Sequence, residues 1–195
     1  MQNLIYSHIY LYRFAMTLLY KGRYYRRFRK IVELMEPSVG SVCDLCFGDT
    51  FIAEWCRARG ISWIGIDHHH HFCERARKRG FGVIESDLFG LEFPDADVFV
   101  MAGSLYHFHD RLPLLFKRIL AHTDRFILSE PIRNLSQLGV LRWWAKRSAE
   151  PGSGDSEFRY NEQSLLEALR QQQNRQGFTY RVVSKDRDIL IEINR

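Results

Sequence analysis

From Ser41 onward, short apolar runs alternate with amphipathic stretches. The apolar runs predict strands at Ser41–Cys46, Trp63–Asp67, Phe81–Glu85, Asp97–Met101 and Arg125–Ser129. Between them, helical spacing predicts helices over Thr50–Arg59, Phe72–Arg79 and Leu112–Ala121, the first two stopping at Gly60 and Gly80. Ile64-Gly65-Ile66 and Val98-Phe99-Val100-Met101 show no polar face, as expected for strands buried on both sides of a parallel sheet. Residues 2–20 and 23–35 read as two earlier helices. The second aligns Tyr24, Phe28, Ile31, Val32 and Met35, and Pro37 and Gly40 close it. After Pro131 the pattern changes. A helix is predicted over Leu135–Ala149, carrying Trp143 and Trp144, then a loop at Pro151–Ser156 and a helix capped by Asn161 and running through Gln173. Two extended runs, Phe178–Ser184 and Ile189–Asn194, flank Lys185-Asp186-Arg187-Asp188 and read as a hairpin. The alternation predicts an α/β fold, a mostly parallel sheet with helices on both faces.

A length of 195 residues suits one domain with a sizeable core. The formal charge of +5 favours acidic partners but is too mild to identify nucleic acid. The four cysteines fall on predicted strands and helix faces, which fits a reducing, cytoplasmic setting better than a disulfide framework. The apolar stretch from Leu4 to Leu19 is interrupted by His8 and Arg13, lacks a cleavage site and is short for a membrane span.

The chemistry starts in the first strand–turn–helix. Val42-Cys43-Asp44-Leu45-Cys46-Phe47-Gly48-Asp49-Thr50 is an apolar run with an acid near its tip, a glycine turn and a helix start. About twenty residues later, Trp63-Ile64-Gly65-Ile66-Asp67 again ends in an acid. That spacing suits a nucleoside, with the first turn close to the ligand and the second acid accepting from ribose hydroxyls.

With the terminal hairpin, these motifs resemble the class I Rossmann-like S-adenosylmethionine-dependent methyltransferases, from about Tyr24 to the C-terminus. The resemblance implies a seven-stranded, mostly parallel sheet with one antiparallel strand. It implies a single domain, with residues 1–36 as N-terminal helices forming a lid and 37–195 as the Rossmann-like core. S-adenosylmethionine is the implied cofactor. Asp44, Cys46, Phe47 and Gly48 correspond to the family's glycine loop, Asp67 to the ribose-binding acid, and His68 to a neighbour of the adenine. Asp87 and Leu88 correspond to the pair beside the adenine, and Ala102 and Ser104 to the segment after the fourth strand that lines cofactor and acceptor. Cys46 and Thr50 depart from the pattern, standing where the first and third glycines usually stand. Thr50 or Asp49 could cap the following helix. Asp44 could accept from the backbone or, through water, from the methionine ammonium.

Methyl transfer from a sulfonium is mainly a problem of alignment, and a base is needed only for a protonated nucleophile. His107, just past the fourth strand, is the first candidate to deprotonate or orient the acceptor. Tyr106 and His109 are weaker candidates. Each residue also has a plain structural role open to it: a helix cap for His107 and Asp67, a contact at the strand end for Glu130. The tract His68–His71 invites a metal reading, but neighbours in sequence diverge in space and no second Cys pair completes a zinc site, so no metal is expected.

The N-terminal tyrosines and Arg23, Arg26, Arg27, Arg29 and Lys30 suit a lid over an apolar acceptor, a packed helix with a solvated basic face, or a peripheral membrane contact. The expected acceptor is a small or lipid-like molecule, methylated at oxygen. Nucleic acid is less favoured, because Gly103-Ser104-Leu105-Tyr106 stands where base amino-group methyltransferases carry Asn/Asp-Pro-Pro-aromatic. A non-catalytic cofactor-binding or scaffold protein is the alternative from another class.

Overall fold

The computed structural model describes Arg13, Met16, Thr17 and residues 24–35, 39–132 and 158–195. The predicted helix at Leu135–Ala149, the loop at Pro151–Ser156 and nearly all of residues 2–20 lie outside the described residues. Seven strands form one sheet in the order β3-β2-β1-β4-β5-β7-β6. They are β1 (Ser41–Leu45), β2 (Ser62–Asp67), β3 (Gly82–Glu85), β4 (Val98–Ala102), β5 (Arg125–Pro131), β6 (Thr179–Lys185) and β7 (Asp188–Asn194). β1 to β5 run parallel, and β7 inserts antiparallel between β5 and β6. The hairpin read from the last two extended runs is therefore present, and it closes the sheet.

Alternate residues feed two separate cores. On β4, Phe99 and Met101 join one apolar cluster, while Val98 and Val100 join the other. Helices α1 (Tyr24–Met35), α2 (Phe51–Arg57) and α3 (His70–Lys78) cover the second cluster. Helices α4 (Leu112–His122) and α5 (Glu162–Gln176) cover the first. The crossover from β3 to β4 carries no helix, and its Leu88 and Phe93 fill the first core instead. In α1 the five residues predicted for one face are the five buried ones. This helix is a layer of the core, packed on β5, β7 and α2. Of residues 1–36, expected as a lid, nearly all those before α1 lie outside the described residues.

Asn161 caps α5 as its sequence predicts: its side chain accepts from the Ser164 N–H at 2.9 Å, and the Ser164 hydroxyl accepts in return from the Asn161 N–H. Gly65 is required by close packing, since a Cβ there would meet Trp63 at 2.3 Å and Phe47 at 2.6 Å.

β1 lies between β2 and β4, so the chain winds outward in both directions from it. The crevice beyond the carboxyl ends of β1 and β4 is the place where such sheets bind ligands.

Candidate active site

The β1–α2 turn opens this crevice. The Cys46 N–H donates to Ile66 O at 2.7 Å, which carries the β1–β2 ladder one step past the strand. Cys46 then takes φ 54° and Gly48 takes φ 54°. Glycine adopts that conformation freely, whereas a cysteine is strained there by roughly 1–2 kcal/mol. Gly48 N–H donates to Asp67 Oδ2 at 3.2 Å, and His69 N–H to Asp67 Oδ1 at 2.8 Å. Asp67 therefore ties the loop to the end of β2 and forms the turn into α3. A carboxylate has about four acceptor positions, so further donors can still be received.

Asp44 is buried, and its Oδ2 has no hydrogen-bond partner. Burial pushes its carboxyl well above the usual range, with the Trp63 indole and Arg27 acting in the opposite direction. Cys46 sits among three acids. Burial, then the negative fields of Asp67, Asp44 and Asp87, raise its thiol well above the ordinary value. It is a neutral thiol, not a nucleophile.

The far half of the turn is held by arginines. Arg13 grips the fully buried Asp49 side chain with two hydrogen bonds, Nε to Oδ2 at 3.0 Å and Nη2 to Oδ1 at 2.7 Å. Arg75 Nη2 donates to Gly48 O at 2.8 Å. Arg79 Nη1 reaches both Thr50 Oγ1 and Glu54 Oε1 at 2.5 Å, and the Thr50 hydroxyl donates to Glu54 at 2.9 Å. Neither capping expectation survives. The Thr50 side chain makes no cap bond because Arg79 and Glu54 engage it, and Asp49 turns to Arg13.

The opposite wall follows β4. The Ala102 carbonyl accepts from Arg27 Nη2, and Gly103, at φ 77°, would place a Cβ 2.8 Å from that guanidinium. Residues Leu105–Phe108 form a 3-10 helix, and Ser104 precedes it without a side-chain cap. The cap comes from Glu130 at the end of β5, whose Oε2 and Oε1 accept from the Leu105 and Tyr106 N–H groups at 3.0 and 3.3 Å. Burial pushes the Glu130 carboxyl up to about 8 despite those bonds and Arg27. Its role is the strand-end structural contact. The His107 ring lies 3.9 Å from that of Tyr106. The residue is exposed. Burial, then repulsion from Arg159 and His68, lowers the imidazole to about 4. Arg159 lies 3.8 Å over the Tyr106 ring, and His109 stacks on Phe158 at 4.1 Å.

Residues 43–123 match the family described as "Methyltransferase domain". Over that stretch, less than half of the 195 residues, the chain is similar to the methyltransferases. The match covers the turn, both acids and the segment after β4. No protein of curated function matches this chain in sequence. Its fold matches several solved structures. The methyltransferase domain of bacterial CtHen1 is 13% identical, with a TM-score of 0.67 over 88% of this chain and 98% of that one. An S-adenosylmethionine-dependent methyltransferase from Mesorhizobium loti is 17% identical, with 0.61 over 89% and 97%. Magnesium protoporphyrin IX methyltransferase from Synechocystis, solved with bound S-adenosylhomocysteine, is 18% identical, with 0.56 over 86% and 78%.

The predicted site residues divide into two sets. Asp44, Cys46, Gly48 and Asp67 come together at the turn. His68 lies beside Asp67, with Nδ1 3.9 Å from Oδ1. Asp87 is exposed, accepts the Phe89 N–H at 2.8 Å and faces Cys46 electrostatically. Ala102, Ser104 and His107 line the other wall. The side chains of Phe47 and Leu88 do not belong to the site. Phe47 packs edge-on to Trp63 at 5.4 Å, and Leu88 fills the first core, so only their backbones are available there.

Sequence reasoning missed Arg13, Arg27 and Arg159 as parts of the site. Arg27 had a signal, for it falls between Tyr24, Phe28 and Ile31 on the buried stripe of α1. Lys30 and Arg26 turn to Asp186 of the β6–β7 hairpin, at 2.7 and 3.8 Å, so part of the predicted basic face is neutralised internally. The histidine tract starts α3, with His70 bonded to Glu85 at 2.8 Å. Among the described residues, no cluster of three metal-ligating side chains occurs and no helix is long and apolar enough to cross a membrane.

Proposed function

We propose that this methyltransferase acts on a small or lipid-like acceptor at an oxygen atom, with its cofactor on the β1–β2 wall and its acceptor on the β4 wall. The observation that supports this reading is the β1–α2 turn, where Asp67 accepts from the Gly48 and His69 N–H groups beside the buried Asp44 with its partnerless Oδ2, while the 3-10 helix carrying His107 follows β4. The orphaned, buried Asp44 Oδ2 is the group that fits the cofactor best, as it lacks a donor that a bound ammonium would supply through water. Asp67 would accept the ribose hydroxyls beyond its two backbone donors, Asp87 the adenine amine, and His68 would flank the base. The Gly48, Ala102 and Ser104 backbones would line the path between. When bound, S-adenosylmethionine supplies a methyl carbon already activated by the positive sulfur.

His107 orients rather than deprotonates. An imidazole held at about 4 is neutral at pH 7 and is a weak proton acceptor, but it presents one N–H donor and one lone pair. Radiolabelled S-adenosylmethionine and a panel of alcohols, phenols, carboxylic acids and amines test the reading. The label should reach an oxygen acceptor, with His107→Ala lowering kcat about tenfold while the Kd for S-adenosylhomocysteine stays within twofold. Transfer confined to amines, or an unaltered kcat in the variant, would contradict it.

A further inference from the structure

The backbone between β4 and the 3-10 helix is held from β5. The Gly103 N–H donates to Ser129 O at 2.7 Å. The next residue of β5, Glu130, accepts from the Leu105 and Tyr106 N–H groups at 3.0 and 3.3 Å. These are first-turn donors that a helix cannot satisfy within itself, and Ser104 makes no cap bond to them. Glu130 is 1% exposed, and each of its oxygens takes one of the two bonds. One turn on, the His107 N–H closes the helix on Ser104 O at 3.2 Å. The helix has only four residues, and an element so short has little stability of its own. Glu130 does close the strand end, but it does so on the one helix that carries His107.

We propose that Glu130 is a positioning residue: its two bonds set the pose of the 3-10 helix and, through the backbone, the place of His107 on the acceptor wall. The proposal rests on the role given to His107 above and adds the group that acts through it. An ionised carboxylate accepts strongly at both oxygens, whereas a protonated one gives one of them up to its own O–H. The hold therefore tightens when Glu130 loses its proton, a step that burial moves up to about 8. Among the described residues, the Leu105 and Tyr106 N–H groups and Arg27 of α1 favour the charge, and Asp188 of β7 opposes it. Arg27 is shared with that acid, its Nη1 lying 3.7 Å from Asp188 Oδ2. The Tyr160 phenol, ahead of α5, stays neutral, since burial and then Glu130 push it further up. The wall tightens while the fold as a whole loses stability, because hydration lost by the buried charge outweighs what the two bonds return.

NMR of protein labelled in its histidine rings and backbone nitrogens, titrated from about pH 6 to about 9.5, tests the coupling. His107→Gln identifies the His107 ring signal by its disappearance. In wild type the Leu105 and Tyr106 nitrogens and the His107 ring carbons should shift together, with one midpoint at about 8. The imidazole itself titrates at about 4, so that step is not its own. Glu130→Gln, close in shape and without the ionisation, should abolish the step at all three residues. The Kd of S-adenosylhomocysteine, read by calorimetry on the same samples, should stay within about twofold. A step at Leu105 and Tyr106 that leaves His107 unmoved makes Glu130 a cap alone and overturns the proposal. So does a His107 step that survives Glu130→Gln, or the lack of any step near the two amides. A larger loss of S-adenosylhomocysteine affinity in Glu130→Gln overturns it too, by moving the effect to the cofactor wall. If Glu130→Gln does not fold, the wild-type titration decides through the shared midpoint. If wild type binds no S-adenosylhomocysteine, the methyltransferase reading fails, and the coupling, read without turnover, is still decided by these signals.

Discussion

On the β1–β2 wall of the crevice, the functional groups are strand-end acids fixed by backbone bonds. Asp67 is tied to two N–H groups and Asp44 is locked in the strand. On the β4 wall they are aromatic and cationic side chains stacked on one another, supported from below by Glu130. The first wall is built by chain geometry that any doubly wound sheet shares, and in the proposed reading it would hold the cofactor. The second is built by contacts between segments distant in sequence, and it is where an acceptor can be selected. The acidic wall also depends on a reinforcement of the second kind: the Arg13–Asp49 pair, which spans 36 positions.

Removing that reinforcement should have the largest effect. Arg13→Ala leaves the buried Asp49 carboxylate without its guanidinium. Because Arg13 is partly exposed, the expected loss is about 2 kcal/mol, or roughly 5 °C in Tm for a chain of this size. S-adenosylhomocysteine affinity should fall about tenfold, since Asp49 follows Gly48 in the turn. Adding Asp49→Asn should recover much of both losses. Strictly additive losses in a double-mutant cycle would mean the two residues do not act together.

The two departures from the glycine pattern sharpen the comparison within the turn. Cys46 stands at positive φ, whereas Thr50 has φ −84° and a hydroxyl bonded to Arg79 and Glu54. Cys46→Gly removes the strain and a side chain from the turn, but adds freedom to the unfolded chain. Stability should change little, by less than about 1 kcal/mol, and S-adenosylhomocysteine should bind several-fold more tightly. Weaker binding by calorimetry would show that the thiol helps the site.

Glu130 tests the support of the second wall through pH. Its folded-state carboxyl is raised from 4.5 to about 8, so the folded protein holds the proton more strongly than the unfolded chain. The stability this confers is complete below about 4.5 and is lost as pH rises through 8. Glu130→Gln should therefore flatten the decline in unfolding free energy between about pH 5 and 8.5, measured by urea titration. Parallel profiles for the two proteins would contradict the assignment.

These differences explain what could be read from the chain. Strands, their apolar faces, the α1 stripe, the Asn161 cap and the hairpin follow from local periodicity, so they were legible to within a few residues. Asp44, Gly48 and Asp67 were legible because a strand end fixes where an acid points. The core positions of Phe47 and Leu88 were not, because motif spacing does not say which way a side chain in an irregular turn faces. Arg13, Arg159 and the cap supplied by Glu130 were not legible either, since each acts through a partner that only folding brings near. The missing helix between β3 and β4 left no mark except a segment, Ser86–Ala96, without helical periodicity.

The central claim is that the acidic wall holds the cofactor. Calorimetry of S-adenosylmethionine and S-adenosylhomocysteine on wild type and Asp67→Ala tests it most directly. Wild type should bind both in the micromolar range. Asp67→Ala, which removes the loop's two bonds to the carboxylate along with the ribose acceptor, should weaken both by about a hundredfold. A folded wild type that binds neither, or an Asp67→Ala variant that binds both as tightly as wild type, would contradict it.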